Sequence, residues 1–152
     1  MKIMESTIKG RYSFRPSEKN SVLIFDAISY LFVLLFVYTA VSKFMTIGTF
    51  QKVLGHYPLL SGYTVFVSYA VPIIELIAAL LLIIPRTKIV GMVGSLILMI
   101  GFLLYILFMM YSLGPSLPCS CGGIISKLSW KEHIWFNTIL IILAGFALRI
   151  RN

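Results

Sequence analysis

The chain has 152 residues, enough for one compact domain, but 59% are hydrophobic and only 12% are charged. A soluble domain carries about 45–50% apolar and about 25% charged residues, so much of this surface must face lipid rather than water. The 13 Lys+Arg against 5 Asp+Glu leave a formal net charge of +8, which fits either a nucleic-acid partner or the basic flanks of a membrane protein.

Residues 1–20 form a basic segment containing Lys2, Lys9, Arg11, Arg15 and Lys19. The first apolar run, Ser21–Ser42, holds one charged residue, Asp26. It is too long for the core of a secretory signal and no small-residue cleavage pattern follows, so no cleavable leader is expected. Next come Phe44, Ile47, Phe50 and Leu54 at spacings of three, three and four, broken by Gly55 and Pro58. That amphipathic spacing predicts a segment lying along the interface and roofing the other helices. Tyr63–Ile84 is apolar apart from Glu75, and Ile89–Leu113 has no charged residue. A last run opens at Ser129-Trp130-Lys131-Glu132, a capping-box pattern, and continues to Leu148. A bilayer core about 30 Å thick needs about 20 helical residues, so all four runs are long enough to span it. None alternates with period two, which argues against spanning strands. The fold class expected is therefore all-α: a polytopic membrane domain over residues 21–152, a bundle of four transmembrane helices at about 21–42, 63–84, 89–113 and 130–148.

Basic residues set the orientation. Nine lie in the N-terminal segment, at Arg86 and Lys88, and at Arg149 and Arg151; four, Lys43, Lys52, Lys127 and Lys131, lie in the other loops. Both termini are expected in the cytoplasm, and loops 43–62 and 114–133 outside. The positive charge is then a matter of topology, and no nucleic-acid partner is expected. Tyr57, Tyr63, Tyr111, Trp130 and Trp135 fit an outer aromatic belt, and Lys43 is placed to extend towards the headgroups.

Polar residues inside the runs are the candidate chemistry. Glu75 is the most expensive, because an ionised acid near the bilayer centre costs about 2.5–3.5 kcal/mol on insertion scales. It must face the interior, protonated or paired, together with Ser68, Pro72 and Ala79 on the same helical stripe. It reads either as a proton- or quinone-facing acid or as an interhelical hydrogen-bond anchor. Gly91, Gly94, Ser95 and Gly101, leading to Tyr105, form a small-residue packing seam on the third helix. On the fourth, His133 near the outer interface reads as structural or catalytic, and Asn137 as an interhelical hydrogen-bonding group.

The loop Gly114-Pro115-Ser116-Leu117-Pro118-Cys119-Ser120-Cys121-Gly122-Gly123 holds the chain's two cysteines. A disulfide between residues two apart departs from relaxed geometry and closes almost no loop, so it is expected to be readily reduced rather than to act as a staple. Three readings stay open: redox-active thiols, a soft-metal site for copper or zinc with Met109, Met110 or His133, and cysteines without special chemistry.

The run Val71-Pro72-Ile73-Ile74-Glu75-Leu76, Pro85-Arg86, Cys119-Ser120-Cys121-Gly122-Gly123 with Leu128-Ser129-Trp130 and Asn137, and Ser42-Lys43-Phe44 resemble the MauE/DoxX membrane proteins. The resemblance is nearer to the MauE branch (methylamine utilisation) as found in Bacteroidota and covers about residues 22–150. It implies a four-helix bundle of the bacterial inner membrane, related in broad architecture to disulfide-forming membrane oxidoreductases. MauE itself is associated with maturation of a disulfide-rich periplasmic dehydrogenase subunit. Carried over by motif, Cys119 and Cys121 would be the redox pair and Glu75 the intramembrane polar residue. Disulfide-forming enzymes of the vitamin K epoxide reductase type usually use two cysteine pairs, and this chain has one.

The expected function is thiol–disulfide exchange with a periplasmic protein through Cys119 and Cys121, with Glu75 or His133 moving protons and electrons passing to a quinone or a protein partner. The alternatives are a non-enzymatic subunit or scaffold of a membrane assembly or transport complex, and a copper-handling protein.

Overall fold

A computed structural model describes residues 18–56, 60–113 and 130–151, and the described residues form five helices. They are α1 (Glu18–Met45), α2 (Ile47–Gly55), α3 (Thr64–Ile83), α4 (Lys88–Leu113) and α5 (Trp130–Arg151). Four of them, all but α2, are long and apolar enough to cross a membrane. The spans expected from hydropathy are therefore present, with ends that coincide or differ by no more than three residues.

The long helices are apolar on every side, so period alone does not separate inside from outside. What separates them is polarity and size. On α1 the buried residues Phe25, Phe32, Phe36 and Ala40 repeat at spacings of seven, four and four, while Leu23, Leu31 and Leu34 are exposed. On α3 the buried face is Ser68, Pro72, Glu75, Ala78, Ala79 and Leu82. On α5 it is His133, Asn137, Leu140, Ala144 and Ala147. In lipid an exposed leucine costs nothing, whereas every polar group needs a partner, so the polar and small residues turn inward. Hydroxyls on these faces bond their own helix: Ser29 Oγ donates to the Phe25 carbonyl at 2.8 Å, and Ser95 Oγ to that of Gly91 at 2.7 Å.

The spans close into a ring in which α1 packs on α3, α3 on α4, α4 on α5 and α5 back on α1. Turn chemistry fixes the α3–α4 hairpin. Ile84 precedes Pro85 and takes an extended conformation (φ −75°, ψ 118°), which stops α3. Thr87 Oγ1 donates to the Leu81 carbonyl at 2.9 Å, satisfying one of the carbonyls left open at the helix end. Gly91 then lets α4 approach closely, since a Cβ there would stand 2.8 Å from Leu82 N and 2.9 Å from Leu81 C. Gly94 and Gly101, expected in the same seam, have nothing within 4 Å of a Cβ, so close approach is confined to Gly91. At this end of the bundle Lys88 Nζ lies 2.8 Å from Asp26 Oδ1 and 5.3 Å from the Tyr30 ring centroid, tying α4 to α1.

At the other end α2 lies over the bundle, closest to α3. Of the expected amphipathic set, Phe50 and Leu54 are buried against Ile106 and Met109 of α4, whereas Phe44 belongs to α1 and is exposed. Gln51 Nε2 donates to Ser68 Oγ of α3 at 3.1 Å, which pins the polar edge of α2.

Candidate functional site

Beneath α2 the bundle forms a partly open chamber of about 220 Å³ lined by all five helices. Leu35, Phe36, Thr39 and Lys43 come from α1, and Phe50, Val53 and Leu54 from α2, with Leu60 beyond it. Val67, Val71 and Glu75 come from α3; Met99, Phe102, Tyr105 and Ile106 from α4; His133, Phe136, Asn137 and Leu140 from α5. The walls are mostly aliphatic, with Phe36, Phe50, Phe102, Tyr105 and Phe136 among them. The polar groups are few and gathered, the usual make-up of a small-molecule site.

Lys43 and Glu75 form the centre of that group. Lys43 Nζ lies 2.6 Å from Glu75 Oε1, with side chains 7% and 2% exposed. Lys43 was expected to extend towards headgroups at the end of α1. It turns inward instead, because Glu75 needs a counter-charge and Lys43 occupies the buried face of α1, seven residues after Phe36. An ion pair inside an apolar bundle is held by close geometry and added hydrogen bonds, not by screening water. Glu75 Oε2 has no hydrogen-bond partner among the described residues. The Thr39 hydroxyl, which also lines the chamber, donates to the Phe36 carbonyl at 3.2 Å.

His133 stands in the first turn of α5 and is 5% exposed, on the same buried face as Asn137 and Ala144. Its Nδ1 has no hydrogen-bond partner among the described residues. One turn on, Asn137 Nδ2 donates to the His133 carbonyl at 2.9 Å. That bond is within α5, where an interhelical bond was expected. Tyr63, Tyr111 and Trp135 are strongly exposed, as belt residues should be.

Of the residues singled out in the sequence, the structure brings Glu75 and His133 to one chamber. Cys119 and Cys121 lie outside the described residues, as do Tyr57 and the basic segment up to residue 17. The helix ends that bracket the cysteines, Leu113 of α4 and Trp130 of α5, belong to the end of the bundle where α2 and the chamber are. Met109 and Met110 pack under α2, within its apolar cluster. No three His, Cys, Asp or Glu side chains gather as a metal site among the described residues.

Lys43 is the member of the site that sequence reasoning missed. The signal was available: Phe32, Phe36, Thr39 and Lys43 follow each other at spacings of four, three and four, one continuous helical stripe.

The family model described as methylamine utilisation protein MauE matches residues 21–150, which takes in all four long helices and the cysteine pair. No curated protein and no solved structure matches the chain.

Proposed function

The chain belongs to the MauE family, and on that footing we propose that this multi-pass membrane protein exchanges thiol–disulfide equivalents with protein on the periplasmic face of the bacterial inner membrane. Cys119 and Cys121 are the exchanging pair. The distribution of basic residues supports the orientation, with both termini in the cytoplasm and the cysteine loop outside. On that side of the membrane a disulfide persists.

The reaction balances without further groups. A client thiolate attacks one sulfur of the Cys119–Cys121 disulfide, the S–S bond breaks, and a mixed disulfide forms. A second client thiolate then displaces the bound cysteine. The client leaves as a disulfide, and two electrons remain on Cys119 and Cys121 as thiols. His133 and Glu75, buried titratable groups that line the chamber, are assigned to proton handling.

The observation that carries this reading is the placement of the chamber. The cysteine-bearing loop joins the two helices, α4 and α5, which both line a pocket holding a buried acid, a lysine and a histidine. The test is adduct trapping in cells with Cys119→Ser and Cys121→Ser variants. One of the two should accumulate reductant-sensitive adducts with periplasmic protein. If neither does, the exchange reading fails; a stoichiometric partner retained without either cysteine would then identify a scaffold.

A further inference from the structure

The chamber beneath α2 has features that a gap in packing would not have. Thr39, Lys43, Glu75, His133 and Asn137 in its wall are each more than nine-tenths buried, and two of their atoms, His133 Nδ1 and Glu75 Oε2, are without hydrogen-bond partners among the described residues. Leaving such atoms bare inside a protein costs about 1–3 kcal/mol each, which a ligand with matching polar atoms would relieve. We propose that this chamber binds a neutral, lipid-soluble ring carrying carbonyl oxygens, the chemistry of a quinone headgroup.

Charge selects neutrality. The Lys43 ammonium and the Glu75 carboxylate cancel at 2.6 Å, so the site offers no net field to hold a free anion or a cation. What remains are directional groups. The Lys43 ammonium has three donors, of which Glu75 Oε1 engages one. The imidazole Nδ1 donates or accepts according to tautomer. A quinone carbonyl accepts from Lys43 or from His133, and a quinol hydroxyl donates to Glu75 Oε2, so either redox form finds partners.

Shape and access select a ring from the bilayer. A dry cavity of about 150 Å³ lined by Leu, Ile and Phe holds a benzene ring. A chamber of about 220 Å³ walled by Phe36, Phe102 and Phe136 holds a substituted one, with aromatic faces for stacking. The chamber lies among helices long and apolar enough to cross a membrane, so a lipid-soluble ring is the ligand its surroundings favour.

The electron-transfer consequence rests on the thiol–disulfide reading above; the binding does not. If both hold, Cys119 and Cys121 thiols lose two electrons and two protons as their disulfide forms, and the quinone gains the same two electrons and two protons as quinol.

The test is equilibrium binding of ubiquinone-1 and of menadione to the purified full chain in lipid nanodiscs, read by calorimetry and by the rise in unfolding temperature. Saturable binding of one ring per chain is expected. Val71→Phe, which fills the chamber, and His133→Leu, which removes a polar partner, should each weaken it by about tenfold. Leu34→Phe, on the lipid-facing surface, should leave it unchanged. A protein carrying both Cys119→Ser and Cys121→Ser should bind as tightly as the native chain, so failed adduct trapping and failed ring binding are separate results. Three outcomes overturn the proposal: no saturable binding, binding indifferent to both chamber variants, or naphthalene, which lacks carbonyl oxygens, binding as well as menadione.

Discussion

Lys43 near the end of α1 and Glu75 in the middle of α3 are joined by a 2.6 Å ion pair across 32 positions of sequence. Both side chains are almost fully buried, so each is the other's substitute for water. Removing one partner leaves a bare charge inside the bundle, and such losses run to about 3–5 kcal/mol. Glu75→Leu or Lys43→Met alone should destabilise by that order. The double variant should recover much of the loss, because an apolar pair of similar volume packs in the same place. A double-mutant cycle on unfolding in detergent checks this. Additive losses would mean that the pair is not coupled.

The second ion pair should behave differently. Lys88 and Asp26 also meet at 2.8 Å, but their side chains are 14% and 36% exposed. Exposed pairs contribute about 0–1 kcal/mol, and salt weakens them. Asp26→Asn should shift the same unfolding curve only slightly, and less at high salt than at low.

Gly91 and Gly101 sit in one helix but face different surroundings. Alanine is the better helix former by about 1 kcal/mol, so propensity alone favours both substitutions. At Gly91 a Cβ would press on Leu81 and Leu82 backbone, which cannot move aside as a side chain could. Gly91→Ala should therefore destabilise by about 1–3 kcal/mol, the usual cost of overpacking. At Gly101 nothing lies within 4 Å, and Gly101→Ala should be tolerated or stabilising. Thermal unfolding of the two variants beside the native chain decides it.

The seal above the chamber depends on α2. Leu54 is buried in the cluster with Phe50, Ile106 and Met109, and Gln51 holds Ser68 at 3.1 Å. Leu54→Ala should cost about 2–5 kcal/mol and Gln51→Ala about 1 kcal/mol. The loss should be local. Amide hydrogen exchange should rise across α2 in both variants while the amides of α3 and α5 keep their protection.

Much of this architecture was legible in the residues. Glu75 had to face inward because of the cost of a charge in lipid, and the stripe Ser68, Pro72, Glu75, Ala79 is buried as its spacing required. The spacing of Phe50 and Leu54 likewise announced a helix lying on the bundle. Lys43 was misplaced because it stands near a helix end, where an interfacial side chain and a buried one have the same sequence context. Asn137 was assigned a partner on another helix, but the carbonyl one turn back lay closer.

By itself the sequence determined the class of this protein and the extent of its helices. Run length, hydropathy and the positions of proline, glycine and charge act locally along the chain, so they can be read from it. Only the tertiary structure decided that Lys43 neutralises Glu75, and that both share one chamber with His133. Those relationships depend on how the helices are rotated and ordered in the ring. In a bundle whose helices are apolar on all sides, hydrophobicity does not set that rotation; the few buried polar contacts and the close approach at Gly91 do.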